Sequence, residues 1–136
     1  MNLKKIFLAL FFYAVASVCF ADPIGGDEAN IQAIAAPIME NIIEGIKSND
    51  YNKYIRDFDS ATRSAMPEAK FIEVNERLSG SIGEFKQKEY IGFLDKQNMT
   101  VVMWKTKFTK TDDDILIKLV INKSGDVYYV SGLWFE

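Results

Sequence analysis

Hydrophobic and polar positions alternate most regularly near the end of the chain. From Thr100 to Phe108, Thr100, Val102, Trp104, Thr106 and Phe108 alternate with Val101, Met103, Lys105 and Lys107. This is the period of two that a pleated strand imposes. The run stops at Asp112-Asp113-Asp114, poor strand formers that suit a turn. It resumes from Ile115 to Ile121, where Ile115, Ile117, Leu119 and Ile121 alternate with Leu116, Lys118 and Val120. Asn122 to Asp126 is a second turn, with Gly125 free to take positive φ. Val127 to Phe135 is a last strand, rich in Tyr, Val, Trp and Phe. Links this short permit hairpins and exclude parallel crossovers, so the pattern predicts an antiparallel meander. One face is dry, and on the Ile115–Ile121 strand it is wholly aliphatic. The other mixes Met103, Leu116 and Val120 with Lys105, Lys107 and Lys118.

Upstream the period changes. Ile31, Ile34, Ala35, Ile38, Ile42 and Ile46 share a helical face. Pro37 falls inside it and predicts a kink, since proline removes a hydrogen bond there. Asp50 reads as the N-cap of a short helix that turns Tyr51, Tyr54, Ile55 and Phe58 inward. Asp59 to Met66 suits a turn followed by a helical segment. Pro67 suits a first helical position, opening a helix with Phe71, Val74, Leu78 and Ile82 on one stripe, ended by Gly80 and Gly83. Phe85 to Leu94 reads as the first strand. Helices followed by an antiparallel meander give an α+β fold, with N-terminal helices packed on a four-stranded sheet.

The first residues stand apart from this domain. Lys4 and Lys5 precede an uncharged apolar run, Ile6 to Phe20, and Cys19-Phe20-Ala21 ends it in a small residue. This is the anatomy of a secretory signal. The run falls short of the roughly 20 apolar residues that a spanning helix needs. The expected organisation is therefore a signal peptide over residues 1–21, a flexible leader over 22–29 and one domain over 30–136. Cleavage after Ala21 places the protein in the periplasm or outside the cell, with no stable membrane span. It also removes Lys4, Lys5 and the only Cys, leaving a more acidic chain with no disulfide.

Composition narrows the chemistry. The chain of 136 residues has no His, one Cys and a net charge of −3. Without His there is no Ser-His or Cys-His nucleophile pair and no His-ligated zinc. Without Cys in the mature chain, thiol chemistry is excluded too. No cofactor and no metal is expected. Asp112-Asp113-Asp114 lacks the spaced acids of a dedicated calcium loop and reads as a hairpin tip. An acidic chain without a long basic run argues against nucleic acid. Asn98-Met99-Thr100 and Asn122-Lys123-Ser124 match the N-glycosylation pattern by chance, as turn residues do.

The stretches IIEGIKSNDYNKYIRDFDSAT, VVMWKTKF and VYYVSGLWFE, with Ser81-Ile82-Gly83 between the first two, carry a resemblance. The chain resembles the bacterial family called domain of unknown function 3887, within the nuclear transport factor 2-like (cystatin-like) superfamily. The resemblance runs from about Ile31 to Glu136. It implies a curved sheet wrapped around helices into a cone, often enclosing a pocket and often dimerising through the sheet. It carries no activity and no functional residue.

Two functions from different classes remain. One is a secreted, non-enzymatic binding or interaction module, with a small apolar ligand or an envelope protein as partner, or a homodimer formed through the sheet. Its pocket candidates are Trp104, Tyr129 and Trp134. The other is a small isomerase- or dehydratase-like enzyme, because superfamily isomerases use a carboxylate with a Tyr. Its candidates are Asp57 or Asp59 with Tyr54, Tyr90 or Tyr129. Against both stands the ordinary use of carboxylates as caps and tyrosines as core.

Overall fold

The computed structural model describes residues 21–136. The expected signal peptide lies outside the described residues except for Ala21. In chain order the elements are α1 (Glu28–Ser48), α2 (Tyr51–Tyr54), α3 (Ser60–Ala65), α4 (Glu68–Ser81), β1 (Phe85–Asp95), β2 (Thr100–Phe108), β3 (Ile115–Ser124) and β4 (Val127–Phe135). The strands form one antiparallel sheet in the order β1-β2-β3-β4. The fold is α+β, as the alternation predicts.

Local chemistry accounts for α1. The Asp27 carboxylate accepts from the Asn30 amide, Glu28 opens the first turn and Lys47 closes the last. Each suits the end of the helix dipole where it sits. Asn49 adopts the left-handed conformation and returns its amide to the Gly45 and Ile46 carbonyls, ending the helix. Ile31, Ala35, Ile38, Met39 and Ile42 are buried in the core shared with the sheet. The helix runs without interruption through Pro37. Pro37 and Ala33 are both exposed, so water can satisfy the Ala33 carbonyl that the proline leaves unpaired.

Gly45 fixes how closely α2 approaches. A Cβ there would lie 2.6 Å from the Tyr54 backbone nitrogen. The approach builds an aromatic cluster in which the Tyr54 ring lies 5.0 Å from Phe58 and 4.7 Å from Phe71. Phe71 is the one fully buried residue of α4. The stripe read from the sequence continues through Val74, but Val74 is exposed, and Leu78 and Ile82 are half-buried. Only the first turns of α4 reach the core. Pro67 is the N-cap and Gly80 lies inside the helix, while Gly83, at φ 87°, supplies the turn out of it.

The helix side of the sheet is organised in rows. Tyr90, Trp104, Ile117 and Phe135 lie opposite one another, as do Phe93, Val102, Leu119 and Leu133. Thr100, Ile121 and Val130 make a third row. The buried Thr106 hydroxyl donates to the Ile115 carbonyl at 2.7 Å, so burying it leaves no orphan donor.

The ladder has three irregularities, one of them near the start of β1 between Phe85 and Gln87, and the other two change which of the later side chains face inward. On β1 the register slips between Tyr90 and Gly92, leaving Ile91 as an extra, exposed residue. On β4 Ile121 pairs with Val130 while Val120 pairs with Gly132, so Ser131 is extra. Each bulge reverses the alternation beyond it. Phe93 and Leu133 therefore turn toward the helices, and Leu94, Gly132 and Trp134 turn away.

Residues 22–29, read from the sequence as a leader, make contacts with the rest of the fold. Asp22 forms a bridge with Lys123, Ile24 is buried, and Asp27 and Glu28 already belong to α1 and its cap. The far edge of β4 is partly covered as well. The Asp59 amide donates to the Val130 carbonyl at 2.9 Å, and the Val130 amide donates to the Asp57 carbonyl at 2.7 Å.

Candidate functional site

The outer face of the sheet, turned away from the helices, carries exposed apolar side chains. The pairing sets its side chains in rows. Leu94, Val101, Val120 and Gly132 form the first. Gly92, Met103, Lys118 and Trp134 form the second. Glu89, Lys105 and Leu116 form the third, continued by Glu136, which exchanges backbone hydrogen bonds with Leu116. Leu94 is 50% exposed and Trp134 49%. The ring of Trp134 lies back over Gly132, in the space a side chain at 132 would take. The glycine and the indole thus form one flat apolar surface next to Val120.

Charge enters this face at Lys118, between Met103 and Trp134 in the second row, and continues in the rows after it, and it is paired. Lys105 meets Glu89 at 3.1 Å, Lys107 meets Asp114 at 2.8 Å, and Lys118 meets Glu136. Lys107 also donates to the Asp112 carbonyl at 2.7 Å, tying the hairpin tip to β2. The hydrogen bond with Glu89, then its charge, holds the Lys105 pKa above its ordinary value. The hydrogen bond from Lys107 is the largest effect holding Asp114 below its own.

The residues singled out from the sequence do not gather at one place. Trp104 is 4% exposed and packs inward, in edge contact with Tyr90 at 6.4 Å between centroids. Trp134 is on the opposite face. Tyr129, half-buried, lines a surface cleft of about 510 Å³ with Ala21, Asp59, Ser60 and Asn122. Asp57 accepts from the Asn41 side chain at 3.3 Å. Asp59 caps α3, accepting from the Thr62 amide at 2.7 Å. Tyr54 is buried among aromatic rings, and that burial pushes its pKa up to about 12. At neutral pH such a phenol stays protonated and is a poor base. The Tyr90 hydroxyl is covered by protein with no hydrogen-bond partner; its pKa is raised by burial first and then by Glu28. Among the described residues no group of three or more Cys, Asp or Glu side chains is placed to hold a metal ion.

A second feature has no counterpart in the sequence reading. The C-terminal end of α1, the outer half of α4 and the start of β1 enclose a cleft of about 560 Å³. Ile46, Leu78 and Phe85 give it apolar walls, and Lys47, Glu76, Glu84 and Lys110 ring it. The Asn75 side chain braces one wall, donating to the Ile46 carbonyl at 3.1 Å and to Asn49 at 2.8 Å. Nothing in the helical periodicity signals it, because it exists where α4 fails to pack down.

A family model described as "Protein of unknown function (DUF3887)" matches residues 39–128. The chain belongs to the DUF3887 family. No curated protein matches it, and no solved structure matches it. The DUF3887 match begins inside α1 and ends at the start of β4, so it takes in the rows contributed by β1, β2 and β3. Gly132 and Trp134 lie beyond it, as does the Asp22–Ile24 anchor.

Proposed function

We propose that this DUF3887 chain is an exported, non-enzymatic interaction module that pairs with a second copy of itself through the outer face of the sheet. The observation that carries the reading is the apolar surface of Leu94, Val101, Met103 and Trp134, interspersed and bordered with lysines whose charges are already matched. An apolar centre with a charged border is the anatomy of a protein contact. Internal charge pairing favours a like partner, because a two-fold axis then brings together surfaces with little net field to repel each other. It disfavours nucleic acid, which needs free cations. Lys4, Lys5, the apolar run after them and Ala21 support export. The helices-on-sheet order supports the nuclear transport factor 2-like assignment. Interaction is favoured over catalysis because Asp57 and Asp59 are engaged by Asn41 and Thr62, and Tyr54 is held among Phe58 and Phe71.

Sedimentation equilibrium tests the reading. The wild-type domain should be a dimer at high micromolar concentration. Met103→Glu with Leu116→Glu should give a monomer with an unchanged far-ultraviolet spectrum, since both side chains are only half-buried in the single chain. A wild type that stays monomeric at that concentration would rule the dimer out.

A further inference from the structure

The first described residues are built into the sheet. The Asp22 amide donates to the Lys123 carbonyl at 2.9 Å, and the Asp22 carbonyl accepts from the Lys123 amide at 2.7 Å. β2 begins only at Thr100, opposite Ile121, so β3 beyond Ile121 lacks that neighbour and Asp22 takes its place. Pro23 has no amide to offer, which suits a residue whose nitrogen points away from the ladder. Ile24 follows, 7% exposed and part of the core. Its amide donates to the Thr100 hydroxyl at 2.9 Å, which in turn donates to the Asp95 carboxylate at 2.8 Å. Asp22 and Ile24 thus tie the start of the domain to β3, to β2 and, through Thr100, to the end of β1. Just upstream, Ala21 sits at the cleft that Asp59 and Tyr129 also line. In the sequence, Cys19 and Ala21 put small residues at the third and first positions before the Ala21–Asp22 bond, directly after the apolar run.

We propose that a signal peptidase hydrolyses the Ala21–Asp22 bond, and that the amino terminus it creates is the first paired piece of the sheet. Water adds to the Ala21 carbonyl carbon and the C–N bond breaks. Ala21 departs with the new carboxylate, and the Asp22 nitrogen takes up protons to become an ammonium. That group keeps its bond to the Lys123 carbonyl, now charge-assisted and hence stronger. It also gains donors toward the cleft vacated by Ala21, where Asp59 has one carboxylate oxygen committed to Thr62. Processing therefore leaves no loose tail: the first residue after the cut is already hydrogen-bonded. This inference rests on the export reading above and not on the dimer reading.

Two measurements test it. The protein exported by its own cell should have an intact mass beginning at Asp22. Amide hydrogen exchange should then compare a chain starting at Asp22 with one starting at Gly25. The Lys123 amide, whose acceptor is Asp22, should exchange at least about tenfold faster in the shorter chain relative to the Leu119 amide. If the shorter chain does not fold, Ile24→Ala in the longer one should loosen the same amide in the same way. A native terminus elsewhere would overturn the proposal. So would a Lys123 amide that exchanges equally fast with and without Asp22–Ile24.

Discussion

The chain contains two tryptophans, and the same sheet uses them in opposite ways. Trp104 lies on the helix side, in a row with Tyr90, Ile117 and Phe135, and is sealed from water. Trp134 lies on the outer side over a glycine, with half its surface open. Both occur in strands of alternating bulk and neither neighbourhood is polar, so hydrophobicity alone does not separate them. What separates them is one inserted residue, Ser131. One face is closed by α1 and is finished as a core. The other is left partly apolar without a cover among the described residues, which is why the dimer is proposed there.

The largest effect should come from breaking the inner face. Trp104→Ala should cost about 3–5 kcal/mol in chemical denaturation, because the cavity is walled by side chains that cannot all collapse into it. A cost under about 1 kcal/mol would mean the two faces are energetically alike. The next effect is alkaline. Tyr54, on the helix side, has a folded-state pKa raised to about 12 by burial, against about 10 when unfolded. Its contribution is fully present below pH 10 and is lost as pH rises through 12. That amounts to about 2–3 kcal/mol across the window. Tyr54→Phe should flatten this part of the stability–pH profile, while Tyr129→Phe should leave it in place. The smallest effect belongs to the outer face. Trp134→Ser should change the stability of the dilute single chain by less than about 1 kcal/mol, yet shift self-association toward monomer in sedimentation. Gly132→Ala should displace the indole and alter its fluorescence, sharpening the contrast without removing either tryptophan.

Much of this was legible beforehand. The alternation in Thr100–Phe108 and Ile115–Ile121 placed Trp104, Ile117 and Leu119 inward and Met103, Lys105 and Lys118 outward, as the pairing shows. Asp50 as a cap and Gly83 as the exit from the last helix were legible from their turn chemistry. The facing of Trp134 was not, because alternation assumes an unbroken ladder and no residue type at 131 announces a bulge. The exposure of Val74 was not legible either: periodicity marks a helix's apolar stripe but not how much of it meets a neighbour. The cleft beside α4 shares that cause. The pairing of Asp22 with Lys123 was hidden for a different reason, since a one-residue bridge across a hundred positions leaves no periodic trace.

The breaks along β1 have a consequence for how this molecule behaves in a crowd. β4 has its outer edge partly occupied by residues 57–59, but β1 has no strand beyond it among the described residues. An eleven-residue edge of unpaired amides and carbonyls is a template on which a foreign strand could crystallise. The breaks at Lys86 and Ile91 divide that template into short pieces that do not share a register, and Lys86 and Lys88 add charge near its start. The irregularity that turns Phe93 inward therefore also interrupts the edge, which works against edge-to-edge growth into a fibre.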